Sequence, residues 1–98
     1  MLLKVVHVIF EMQFEPEVIS LLHREVDVPR YLRLDNLNGA RAVDRDGRRA
    51  YRIDDRNSLI IIVCDDGLAE RVISGVATLR QRLGHGVHAY ATQAERVV

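Results

Sequence analysis

The sequence predicts an α+β fold, one four-stranded antiparallel sheet with two helices on one face. Two apolar runs of strand length, near the N-terminus and at Leu59-Ile60-Ile61-Ile62-Val63-Cys64, are the first sign. Each is followed by a stretch whose apolar residues recur at helical spacing, and each helix leads into a further strand. Turn signals separate these elements throughout a chain of 98 residues, the length of one domain spanning residues 1–98.

The first strand is read over residues 2–10, which are rich in β-branched and large apolar side chains and predict burial on both faces. Glu15-Pro16-Glu17 opens the first helix, because proline is tolerated in a first turn and both acids suit the positive end of the helix dipole. Val18, Ile19, Leu22 and Val26 form its apolar stripe, and Asp27 and Pro29 stop it. Val28 to Leu37 reads as a second strand, with Leu32 and Leu34 on a covered face.

From Asn38 to Asn57 apolar residues thin out. Arg41, Arg45, Arg48, Arg49, Arg52 and Arg56 alternate with Asp44, Asp46, Asp54 and Asp55, and Asp46-Gly47 is a strong turn signal. This stretch is a solvated loop or a projecting hairpin with its tip near Gly47, and residues 40–56 are expected to be mobile when unpartnered. Leu59 to Cys64 is the clearest strand and central in the sheet. Asp65-Asp66-Gly67 then caps a helix from about Leu68 to Leu83, whose Leu68, Ala69, Val72, Ile73, Val76, Leu79 and Leu83 face inward while Arg71, Arg80 and Arg82 face away. Gly84 stops it, Val87 to about Thr92 is the fourth strand, and Gln93 to Val98 a short tail. Strand, helix, strand, loop, strand, helix, strand is the βαββαβ order of the ferredoxin-like sandwich.

Composition narrows the function. Acidic and basic residues balance at 14 each, so no global field draws the chain to nucleic acid. Cys64 is the single cysteine and lies inside an apolar run, where a thiol behaves as a small buried hydrophobe. The apolar start is too short to span a bilayer and lacks a signal-peptide pattern, which predicts a cytoplasmic protein. His7, His23, His85 and His88 include no zinc-protease spacing, although His85 and His88 could supply two ligands across a subunit boundary. Ser20, Ser58 and Ser74 have no nucleophile-elbow context, so no catalytic residue is assigned and no enzyme activity is expected. A domain this small buries only about 60–65% of its unfolded surface. Together with apolar strands that need cover, this predicts oligomerisation. Leu83-Gly84-His85-Gly86 is a glycine-flanked turn whose backbone N–H groups, with Arg82 and His85 beside them, could receive a phosphate.

The arrangement resembles the PII-like signalling family, small trimeric regulators with a ferredoxin-like fold. Residues 59–66 are similar to the family's third strand and acidic turn, Ala69-Glu70-Arg71-Val72-Ile73 to its second helix, and Ala94-Glu95-Arg96-Val97 to its "V-E-x-V" ending. Residues 38–57 stand where the T-loop does, and Arg82 to Gly86 where the phosphate-binding B-loop does. The T-loop equivalent is short, with Ala50-Tyr51-Arg52 as its echo of a "Y-R-G" segment. The B-loop equivalent is shortened and lacks a lysine, and the sequence reaches Val98 without a basic C-terminal extension.

The resemblance implies a homotrimer that takes a small anionic effector (AMP, ADP or ATP) between subunits, with no bound cofactor and no metal. Arg41, Arg82, Gly84, His85 and Gly86 are the implied ligand-binding residues, Arg41 lying close to the neighbouring subunit's turn. Arg45, Arg48, Arg49, Tyr51 and Arg52 would dock the loop on a protein partner such as a membrane transporter or an inorganic-carbon assembly. The alternative is a trimeric metal-binding protein similar to the divalent-cation-tolerance family, which shares the fold.

Overall fold

The structure is a computed structural model and describes residues 3–98, apart from the side chain of Asp55. Leu2, read as the first strand residue, lies outside the described residues. Among them the order is β1 (Leu3–Glu11), a tight 3-10 turn (Met12–Phe14), α1 (Glu15–Ser20), a wide π turn (Leu21–Glu25), β2 (Leu32–Arg45), β3 (Arg48–Asp65), α2 (Asp66–Leu83) and β4 (Val87–Gln93). The sheet runs β2-β3-β1-β4 with every pairing antiparallel, so β3 and β1 are central. This is the ferredoxin-like sandwich.

Pairing register explains the core. Val6, Val8 and Phe10 of β1 stand opposite Ile62, Ile60 and Ser58 of β3 and Ala91, Ala89 and Val87 of β4, all on the face turned to the helices. There they join Val18, Leu21 and Leu22 of the first helical segment and Ala69, Val72, Val76 and Leu79 of α2 in one buried cluster. Cys64 belongs to it, and burial pushes its thiol pKa up. The opposite face carries Val5, His7 and Ile9 of β1 with Leu59, Ile61 and Val63 of β3, flanked by Leu32, Leu34 and Tyr90. β1 is therefore buried on one face and half-exposed on the other, and Leu32 stands 69% exposed. Both departures have one cause: this chain supplies a single helical layer.

Capping follows the sequence closely at α2. The Asp65 carboxylate accepts from the Leu68 N–H at 2.8 Å, and Gly84 closes the helix at φ 86°. The first helix is less regular than its apolar stripe suggests. Its last turn widens, with Val26 N–H donating to the Leu21 carbonyl at 2.9 Å. Leu21 packs against Gly75 of α2, where a Cβ would lie 2.7 Å from a Leu21 methyl.

Residues 38–57 form a hairpin with its turn at Asp46-Gly47, as one of the two sequence readings has it. The hairpin carries the molecule out to 52 Å along its long axis. The radius of gyration is 15.2 Å, against the roughly 13 Å of a compact chain this long.

Candidate functional site

The hairpin leaves the sheet at an irregular base. Ladder register shifts between Leu34 and Leu37 and again before Gly39, and Asn36 and Arg56 take positive φ. Asn57 Nδ2 bridges the break, donating to the carbonyls of Leu37 at 3.4 Å and Asp54 at 3.3 Å. On the helix side Arg33 clamps the base to α1. Its guanidinium donates at 2.7 Å to both Asp35 and Glu15 and lies over the Phe10 ring at 5.6 Å. Fully buried Ser58 gives its hydroxyl proton to Asp35 at 2.6 Å. That hydrogen bond, with the Arg33 guanidinium, holds the Asp35 carboxyl below the usual carboxylate range, and the pair of acids raises Arg33 in turn.

A cleft of about 1270 Å³ opens between this base and the turn that follows α2. Arg41, Arg52 and Asp54 enter it from the hairpin, Ile9 and Glu11 from β1, Arg80 from the end of α2, and His85, Gly86 and His88 from the turn and β4. Arg41 reaches Asp54 at 3.7 Å across an exposed gap, a contact worth at most about 1 kcal/mol. Arg52 and Arg80 have no ion pair among the described residues. Three guanidinium groups against two carboxylates leave the cleft net cationic before either histidine is counted.

Gly86 fixes the far wall. Its φ is 79°, its carbonyl accepts from Glu11 N–H at 2.9 Å, and a Cβ there would collide with Phe14. His85 meets the same Phe14 ring edge-on, 5.4 Å between centroids. The turn is thus seated on the start of the first helical segment, and only glycine fits at its last position.

Of the residues implied for ligand binding, Arg41, His85 and Gly86 line one cleft. Gly84 lines a separate shallow groove between α2 and β4, and Arg82 is exposed without lining the cleft. Arg80, read as facing away, lines both. Its place at the last full turn of α2, four residues before Gly84, is the sequence signal that marks it. Arg52, assigned to docking, also lies at the cleft. Arg45 and Tyr51 line a third, shallow groove farther along the hairpin, while Arg48 and Arg49 are exposed near its tip. Among the described residues no three His, Cys, Asp or Glu side chains lie together as a metal site, and no helix is long and apolar enough to cross a membrane.

No family model matches the sequence, and no curated protein matches it by sequence comparison. Solved structures do match. CPII of Thiomonas intermedia K12, a nitrogen regulatory PII-like protein bound to ADP, AMP and bicarbonate, superposes with a TM-score of 0.67 at 19% identity, covering 100% of this chain and 98% of that one. The same protein bound to ADP, AMP and acetate gives 0.68 at 23% identity, covering 97% and 90%. GlnK of B. subtilis in complex with ATP gives 0.72 at 10% identity, covering 96% and 84%. The fold is that of the PII-like proteins. In this chain the hairpin joins β2 to β3, and residues 84–86 form the turn between α2 and β4.

Proposed function

We propose that this chain is a PII-like regulator that binds a small anionic effector, an adenine nucleotide, in the cleft at the base of the hairpin. The observation that carries the reading is the convergence of Arg41, Arg52, Arg80 and His85 beside Gly86 on one open, net-cationic cleft. Anionic groups meeting such donors form charge-assisted hydrogen bonds worth roughly 1.5–3 kcal/mol each. Two of them with partial burial of a base give micromolar affinity, near −8 kcal/mol. The similar CPII and GlnK structures, described with ADP, AMP or ATP, support the choice of nucleotide.

In this reading the chain works in the cytoplasm as a homotrimer. The supporting feature is the half-exposed apolar sheet face around Ile61 and Val63, which a second copy would cover. The hairpin then docks on a protein partner, such as a transporter or an inorganic-carbon assembly, under control of the effector.

Calorimetric titration of AMP, ADP and ATP into wild type, Arg41→Ala and Arg80→Ala tests the site. Micromolar binding of at least one nucleotide, weakened about tenfold by each substitution, is expected. No heat at millimolar nucleotide removes the nucleotide assignment, and unchanged affinity in both variants moves the site elsewhere. Light scattering that finds a stable monomer at micromolar concentration removes the trimer.

A further inference from the structure

The hairpin has two chemically different faces. Its register runs without a shift from Gly39 opposite Asp54 to Arg45 opposite Arg48, so alternate residues of each strand share a face. One face carries Arg41 opposite Arg52, Val43 opposite Ala50, and Arg45 opposite Arg48. The other carries Ala40 opposite Ile53, Ala42 opposite Tyr51, and Asp44 opposite Arg49. Arg49 and Asp44 approach to 3.6 Å, which balances charge on that second face.

The first face has one such contact for its four arginines. Arg41 has Asp54 at its inner end, while Arg45, Arg48 and Arg52 are exposed and have no ion pair among the described residues. Like charges directly opposite one another destabilise an antiparallel pair. Two such pairs on one face therefore work against the free hairpin and are relieved when an anion lies across them. All four are arginines, whose planar forks engage carboxylates in pairs.

We propose that the face bearing Arg41, Arg45, Arg48 and Arg52 is the docking surface for an acidic segment of a partner protein. This rests on the reading of the hairpin as the docking element and adds the face and the chemistry of the partner. The two arginine pairs lie four residues apart along the strands, about 14 Å at roughly 3.4 Å per residue. The segment accordingly presents carboxylates in two groups at that separation. A protein is favoured over nucleic acid because the chain has no net charge, and Asp54 stands on the arginine face itself with Asp46 at the turn beside it. A continuous line of phosphates would meet those acids, whereas spaced carboxylates need meet only the arginine pairs.

Fluorescence anisotropy with a labelled peptide of alternating glutamate and serine tests this on the full chain at low salt. The peptide is expected to bind, its glutamine counterpart is not, and added salt weakens the complex. Arg45→Glu combined with Arg48→Glu, outside the nucleotide cleft, should lower affinity roughly tenfold or more. Arg49→Ala, on the other face, should stay within about twofold, and circular dichroism should report both variants folded. The proposal is overturned if the peptide does not bind, if the double variant binds like wild type, or if Arg49→Ala loses as much. Tighter binding of duplex DNA or of phosphatidylserine vesicles at the same ionic strength also overturns it. Replacing residues 44–49 by a glycine linker separates the two layers. Binding that survives the replacement refutes docking by the outer end of the hairpin, while binding lost there but kept in the double variant refutes only the arginine face.

Discussion

Between Asn57 and Asp65, β3 pairs with β1 along its whole length and buries Ser58, Ile60, Ile62 and Cys64 under the helices. Between Arg48 and Arg56 the same strand has β2 as its one neighbour among the described residues, and Tyr51 and Ile53 stand 67% and 63% exposed. The backbone hydrogen-bond ladder is continuous enough to make one element of both, yet burial stabilises only the inner half. A strand can thus be long in geometry and short in energy, with its outer part left free to meet something else.

The largest test of that contrast compares two isoleucines on one strand. Ile60→Ala should cost about 2–5 kcal/mol, the usual range for emptying a buried site. Ile53→Ala should fall within about 0.5 kcal/mol, as surface changes do. Urea unfolding midpoints at constant slope measure both. Equal losses would mean that the outer half is packed in the assembled protein. Amide exchange sharpens the same point, with residues 48–56 exchanging through local opening well before residues 57–65.

A smaller effect is expected at the boundary between the halves. Ser58→Ala removes the proton given to Asp35 and leaves that carboxylate held by Arg33 alone. Its unfolding midpoint should fall between those of the two isoleucine variants. A midpoint equal to wild type would remove Ser58 from the clamp.

Acid gives the smallest effect. The Ser58 hydroxyl and Arg33 hold the Asp35 carboxyl below its ordinary range, so its stabilising contribution is complete above that range. It is lost as pH falls through the lowered value. Wild type should therefore lose stability on acidification more steeply than Asp35→Asn, and superimposable acid limbs would contradict this.

The two central strands, α2 with its Asp65 cap, and the Gly84 stop were all legible in the sequence, because each is written in local periodicity or turn chemistry. Leu32 and Leu34 misled, since alternation fixes which residues share a face and says nothing of whether this chain covers it. The hairpin could be read only as one of two options. Its pairing joins residues by tertiary register, and its composition resembles a solvated loop. At the cleft, His85 and Gly86 were legible as a glycine-flanked turn, whereas Arg41 came through family resemblance and not local pattern. Arg80 was missed because helical periodicity sorts residues into inward and outward, and a residue at a helix end can be outward from the core and still line a cleft.

The helical segment that begins at Met12 is wound unevenly, tighter than an α-helix over Met12–Phe14 and looser over Leu21–Glu25. Tight winding advances the angular phase of the side chains and loose winding retards it, so the second irregularity takes back part of what the first adds. Phe14 can therefore meet Gly86 at one end of the segment while Leu21 meets Gly75 at the other. The cleft wall and the helix pair are geared through the pitch of a single short stretch of chain.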